Sequence, residues 1–133
     1  KIQKFSHSSS SGNSSDFGTL DTSGITPQGQ SSFTHGYATS GGNETNIRKF
    51  SFSSGGSTSI IGQLNRVRQE QGTGCSSSSH GYAVGGYAGG GASGHHGEID
   101  QFSFSSDGNA TKVGDMVSPR SGGGFSDACS GQF

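Results

Sequence analysis

The sequence predicts an all-β fold, a single array of β-propeller blades running over residues 1–133, and three observations predict it. A phrase of alternating apolar and polar residues occurs three times. A second apolar segment follows each copy at a nearly constant distance, and a His-Gly-Tyr element recurs between them.

The first phrase is Ile2-Gln3-Lys4-Phe5-Ser6, then Ile47-Arg48-Lys49-Phe50-Ser51, then Ile99-Asp100-Gln101-Phe102-Ser103, at offsets of 45 and 52 residues. Strand alternation places Phe50 and Phe52 on one face and Ile47 on the other. A sheet that is apolar on both faces suits a blade held between two neighbouring blades better than a sheet with one solvated face.

The second segment reads Phe17-Gly18-Thr19-Leu20, Ile61-Gly62-Gln63-Leu64 and Val113-Gly114-Asp115-Met116. An amphipathic helix over 60–71 competes for the middle copy, because Ile60, Ile61, Leu64 and Val67 have helical spacing. The strand is preferred, since the equivalent segments hold Gly and short apolar pairs and repeats share one secondary structure.

The third element is His35-Gly36-Tyr37, ending in Gly41-Gly42, and it returns as His80-Gly81-Tyr82, ending in Gly85-Gly86. The Gly pairs are expected where backbones pack closely. Residues 122–133 read as the lead-in to a further copy, with Phe133 near the Tyr position. The array is thus divided into repeat 1 (1–45), repeat 2 (46–97) and a partial repeat 3 (98–133). Its expected structural positions are Phe5, Phe50, Phe102, Gly41, Gly42, Gly85, Gly86, Leu20, Leu64 and Met116. Fewer than three blades do not close a ring, so other copies or further chain are expected to close it.

Composition alone reads differently. The 133 residues include 26 Gly and 28 Ser, only 25% are hydrophobic and Trp is absent, which on average signals disorder. The net charge of −1 and the regular return of aromatic residues argue for a fold. So thin an apolar content needs partner surfaces to offset chain entropy. Eight basic and nine acidic residues lie dispersed, leaving no stripe to draw phosphate, so nucleic acid and anionic lipid are not expected partners. No apolar run is long enough for membrane insertion as a helix. The chain opens on Lys1 in what reads as mid-strand, the pattern expected of a fragment or a processed product.

The stretch from His80 to Gly86, then Glu98 to Phe102, then Val113 to Arg120, resembles a kelch repeat. That resemblance rests on Gly85-Gly86, Phe102, Met116 and Arg120 in the family's order, and it implies a β-propeller. The family's usual Trp is missing, with Thr111 or Val113 near its place. The Ser/Gly-rich HGY and KFSFSS-like segments also resemble repeat proteins of marine phages, which implies a place in tail fibres or other virion surface parts.

Residues able to carry chemistry are few. His95 and His96 sit in the 87–97 insertion, but a metal centre needs three or four converging ligands, so no metal and no cofactor is expected and a solvated loop is the favoured reading. His35 and His80 repeat with the architecture and are expected to hydrogen-bond across strands. Cys75 and Cys129 lie in corresponding Ser-rich lead-ins, and the sequence leaves both a disulfide and two separate thiols open. The sequons at Asn13, Asn43 and Asn109 are of a kind chance produces in a Ser-rich chain. Asp107-Gly108-Asn109 reads as a turn. Neither a nucleophile with its base nor a carboxylate pair is evident, so no catalytic residue and no enzyme activity are expected.

The functional expectation is a structural or binding protein of a virion or extracellular surface. Its blades form a platform, and Tyr37, Tyr82, Tyr87, His95 and His96 are its candidates for contact with a glycan or protein receptor. A cytoplasmic kelch-type scaffold for protein partners is the alternative, with a propeller enzyme a more distant one.

Overall fold

In the computed structural model the described residues are 1–6, 12–21, 26–69, 72–89 and 94–119. Arg120, Cys129 and the lead-in at 122–133 lie outside them. Ten strands follow in order: β1 (Ile2–Lys4), β2 (Ser15–Thr19), β3 (Gln28–Ser31), β4 (His35–Thr39), β5 (Glu44–Ser51), β6 (Gly55–Arg68), β7 (Thr73–Ser76), β8 (His80–Val84), β9 (Glu98–Ser103) and β10 (Thr111–Asp115). The fold is all-β. One sheet has the order β1-β2-β6-β5-β4-β3 and the other β10-β9-β8-β7.

Strands β3 to β6 form one antiparallel meander and β7 to β10 a second, each strand pairing with its sequence neighbour. The β1–β2 hairpin joins the first meander through a short parallel pairing of Gly18 with Gly56 and Thr19 with Ser57. The sheet structure curls into a half-barrel, and no closed ring forms among the described residues.

Residues 60–68 are strand, as the repeat logic requires, and β6 is far longer than the short apolar segment the sequence marks. The β5–β6 register shifts three times, and each irregularity bends the longer strand around its partner. The predicted repeats and the meanders also differ in phase. The meanders run from 28 to 68 and from 73 to 115, so the boundary at 45/46 falls within β5 and that at 97/98 just before β9. A repeating sequence has no intrinsic starting point, and hydrogen-bonded pairing supplies one.

The two meanders pack on each other through a small core of Tyr37, Ile47 and Leu64 from the first and Ala83 and Phe102 from the second. Tyr37 is 3% exposed, with its ring stacked 4.8 Å from Phe104 and tilted 5.4 Å from Phe102. The facing surfaces follow from pairing register. Gly36 lies opposite Phe50 and Gly81 opposite Phe102, and in each case the phenyl ring covers the glycine so closely that a Cβ there would strike it.

The junction contacts repeat. A Cβ on Gly62 would strike the Gly108 carbonyl, and one on Gly18, its equivalent 44 residues earlier, would strike the Gly56 carbonyl, 52 residues before Gly108. Close backbone approach therefore falls on the Gly of the Phe17-Gly18 and Ile61-Gly62 pairs. Gly41-Gly42 and Gly85-Gly86 make the turns after β4 and β8, with φ of 96° and 75°, and of 61° and 121°.

The other repeat positions are graded by what covers them. Phe102 is buried, Phe50 half-buried and Phe5 66% exposed; Leu64 is buried, while Leu20 and Met116 are half-buried.

Gly62→Ala is expected to destabilise the fold by about 2 kcal/mol, since backbone must move to admit the methyl. Gly29→Ala, at a strand position whose added Cβ meets nothing, is expected to leave the midpoint nearly unchanged. Urea denaturation of the two variants side by side checks the pair.

Candidate functional site

The turns at one end of both meanders are built from the serines that dominate the composition. Ser32 Oγ accepts the backbone N–H groups of Thr34 and His35 at 3.3 and 3.0 Å, and Ser77 Oγ accepts those of Ser79 and His80 at the same two distances. A hydroxyl then meets each imidazole: Thr34 Oγ1 lies 2.8 Å from His35 Nδ1, and Ser79 Oγ lies 2.8 Å from His80 Nδ1. The neighbouring turns match as well, Ser51 Oγ accepting from Ser53 N and Ser103 Oγ from Ser105 N. Serine is abundant because its hydroxyl closes these turns locally, and the remaining polar groups form a rim of hydroxyls and imidazoles repeated once per meander.

His35 and His80 therefore bond to the hydroxyl beside them in sequence, correcting the expectation of cross-strand bonds. The Ser32 and Ser77 turns hold the neighbouring hydroxyl within hydrogen-bond reach of Nδ1. Phe33 stands at the lip of this rim, 82% exposed, next to an open groove of about 610 Å³ lined by Thr34, His35, Ser51, Phe52 and Ser53. Sequence reading passed over Phe33 because it lies outside the repeated phrases, and its counterpart 45 residues on is Ser78.

The opposite end carries His95 and His96. Tyr87 and His95 form an isolated bridge with ring centroids 5.2 Å apart, and His96 N–H donates to the Gly86 carbonyl at 2.9 Å. Arg66 reaches Glu98 at 3.0 Å and lies 3.4 Å from His96 Nδ1. Both histidines are half-buried against the sheet, which corrects the reading of a solvated loop; residues 90–93 of that insertion lie outside the described residues. Burial, and then the Arg66 charge, hold the His96 pKa below its ordinary value of 6.5, against the pull of Glu98. No group of three or more metal-ligating side chains converges among the described residues.

Of the five predicted contact residues, Tyr37 is part of the core and does not reach solvent. Tyr82 is half-buried and accepts a hydrogen bond at its hydroxyl from Gln101 Nε2 at 2.9 Å, and Tyr87, His95 and His96 group together at the other end. Cys75 is half-buried on β7, and burial raises its thiol pKa, the opposite of an activated nucleophile. The pairing with Cys129 that the sequence leaves open lies outside the described residues.

Between the two ends runs an ion pair that sequence reading missed. Arg68, at the end of β6, donates to Asp100 of β9 at 2.9 Å and to the Gly85 carbonyl at 2.7 Å, and both charged side chains are fully buried. Asp100 also accepts the Asn65 N–H at 3.1 Å. One junction earlier, Arg48, the repeat equivalent of Asp100, donates to the carbonyl of Asp21, the equivalent of Asn65, at 2.6 Å. The same junction position is thus a buried carboxylate in one repeat and a buried guanidinium in the other. No protein-family model matches the chain, and no curated protein matches it.

Asp100→Asn is expected to cost about 3–5 kcal/mol by leaving Arg68 charged and unpaired in the interior. The double variant Arg68→Met, Asp100→Leu is expected to recover most of that loss in a denaturation series. For His96 the unfolded chain binds the proton more readily than the folded one, so stability is full above pH 6.5 and falls as pH drops through and below that value. Thermal melts at successive pH values are expected to show this fall in the native chain and a flatter profile in His96→Asn.

Proposed function

We propose that the chain is a segment of a β-propeller-type array, each meander serving as a blade, that works without catalysis as a structural and binding surface of a virion or cell. Its ligand is a surface glycan or the glycan-bearing face of a protein receptor. The observation that carries this reading is the doubled rim: the same Ser–hydroxyl–imidazole turn stands at the same end of two stacked meanders. Turns held on stacked sheets are the usual place for recognition, because the scaffold has already met the entropic cost of ordering them.

The chemistry of the rim fits a polyhydroxylated ligand. Serine and threonine hydroxyls both donate and accept, each imidazole, its Nδ1 already held by a hydroxyl, leaves Nε2 to donate or accept, and the exposed Phe33 ring offers an apolar face to the C–H side of a sugar. The kelch-like order of glycines and aromatics and the likeness to phage repeat proteins support the same reading of architecture and place.

The purified chain is expected to be retained on an array of bacterial and animal surface polysaccharides. Phe33→Ser, which copies the equivalent Ser78, is expected to weaken that retention at least tenfold, about 1.4 kcal/mol, without lowering the melting temperature. Absence of retention on every glycan and glycoprotein tested overturns the reading.

A further inference from the structure

Strands β5 and β9 carry the same phrase and stand in the same surroundings. Each pairs on one edge with the strand that follows it and on the other with a His-Gly-Tyr strand. The glycine of that strand lies opposite the phenylalanine, Gly36 opposite Phe50 and Gly81 opposite Phe102. Strand β1 opens the same phrase at Ile2 and pairs with β2 as β5 pairs with β6. Among the described residues its other edge bonds to no strand, so β1 and β2 are the outer half of a meander without an inner half beside them.

The face of the first meander next to that edge shows the same division. In the junction between the two meanders, the inner strands β3 and β4 make three contacts. The Gly29 carbonyl lies over Gly74, the Ser31 N–H donates to Ser76 Oγ at 2.9 Å, and the Tyr37 ring stacks 4.8 Å from Phe104. Toward the β1–β2 hairpin the outer contacts are present, Gly18 on the Gly56 carbonyl and Arg48 on the Asp21 carbonyl. The receiving groups for the three inner contacts are present as well. Gly29, the equivalent of Gly74, is exposed, and Ser31 stands at the place of Ser76. Phe52, the equivalent of Phe104, is 44% exposed beside the groove of about 610 Å³. Phe50 and Phe52 stand at 5.7 Å and 78° to each other, against 5.8 Å and 77° for Phe102 and Phe104, so the aromatic pair already has its covered geometry.

We propose that the free edge of β1 and the Gly29–Phe52 face beside it form a strand-addition site. Its occupant is a two-stranded β-hairpin of this repeat's own chemistry, a Ser-closed turn leading into a His-Gly-Tyr strand, donated by a second polypeptide. The inference rests on the repeat-array reading and is independent of the glycan ligand. This chain's own hairpins of that kind are engaged, β4 between β3 and β5 and β8 between β7 and β9, so the donor is a different protein of the same repeat type. The register of β4 on β5 sets the docked register: the donor glycine lies opposite Phe5 and the donor tyrosine opposite Lys4, with its ring on Phe52. Main-chain hydrogen bonds along β1 supply the attachment. The requirement for glycine under a phenyl ring, and for an aromatic ring on Phe52, supplies the selectivity. The β1–β2 hairpin stays where it is and becomes the outer half of the completed sheet.

Amide hydrogen exchange of the full chain, read by NMR, tests this with a synthetic peptide of residues 27–42 in excess as the donor. The β1 amides that do not bond to β2 are expected to slow by at least about tenfold. The peptide with Gly36→Val is expected to give no slowing, and the Phe52→Lys chain, shown to be folded by circular dichroism, a much smaller one. Because an isolated hairpin is marginally stable, a second measurement joins a copy of residues 27–45 ahead of Lys1, which removes the cost of association. Slowing by the free peptide that Gly36→Val abolishes supports the proposal. No slowing in either format, equal slowing by the Gly36→Val peptide, or slowing confined to strands other than β1 overturns the site. Slowing with the joined copy alone overturns the second polypeptide as donor. Glycan retention without β1 protection removes the strand-addition site alone, whereas protection without retention removes the glycan reading alone.

Discussion

Everything in this molecule depends on two thin sheets being pressed together closely enough to make up for a scarcity of apolar side chains. The aromatic stack of Tyr37 on Phe102 and Phe104 is where that happens, and it requires glycine nearby. Phe102 can lie flat because Gly81 beneath it has no side chain, and the Gly108 carbonyl approaches β6 so closely that a Cβ on Gly62 would strike it. Glycine, costly elsewhere for the entropy it loses on folding, lets few rings do the work of a larger core.

The buried charges follow from that closeness. With the backbones in near contact, Arg68 spans from β6 to Asp100 and the Gly85 carbonyl and ties β6 to β9 and to the turn after β8 without access to water. A buried ion pair adds little net stability, but it penalises any sliding of one sheet over the other, because displacement leaves both charges unpaired. The exchange of Asp100 for Arg48 at the equivalent place makes the two junctions different in sign. A repeat is thereby matched to its own neighbour, while the close glycine contact, Gly18 on Gly56 and Gly62 on Gly108, is common to both junctions.

The serines serve a third purpose. In a chain where about a fifth of residues are Ser, composition reads as linker, yet Ser32, Ser51, Ser77 and Ser103 each accept backbone N–H groups within three residues and close turns of the same form. This local closure leaves a regular polar rim at one end, so the same residues that replace core-driven folding of the loops also supply the surface chemistry.

The repeat period, the strand character of 60–68 and the separation of Ile47 from Phe50 onto opposite faces were legible in the sequence, because period-two alternation and equivalent spacing are properties of the chain itself. The identity of Tyr37 as core, of Phe33 as the exposed ring and of Arg68–Asp100 as a pair was not legible. Each depends on which face meets a neighbour, and the partners are 32 or more residues apart with no pattern between them. The sequence by itself determined that this protein would be an array of short strands with glycine and serine at fixed places. Only the tertiary structure decided the phase of the meanders, which of the recurring glycines mark turns and which mark contact, and which aromatic faces were left open, because burial belongs to the surfaces that meet and no residue carries it alone.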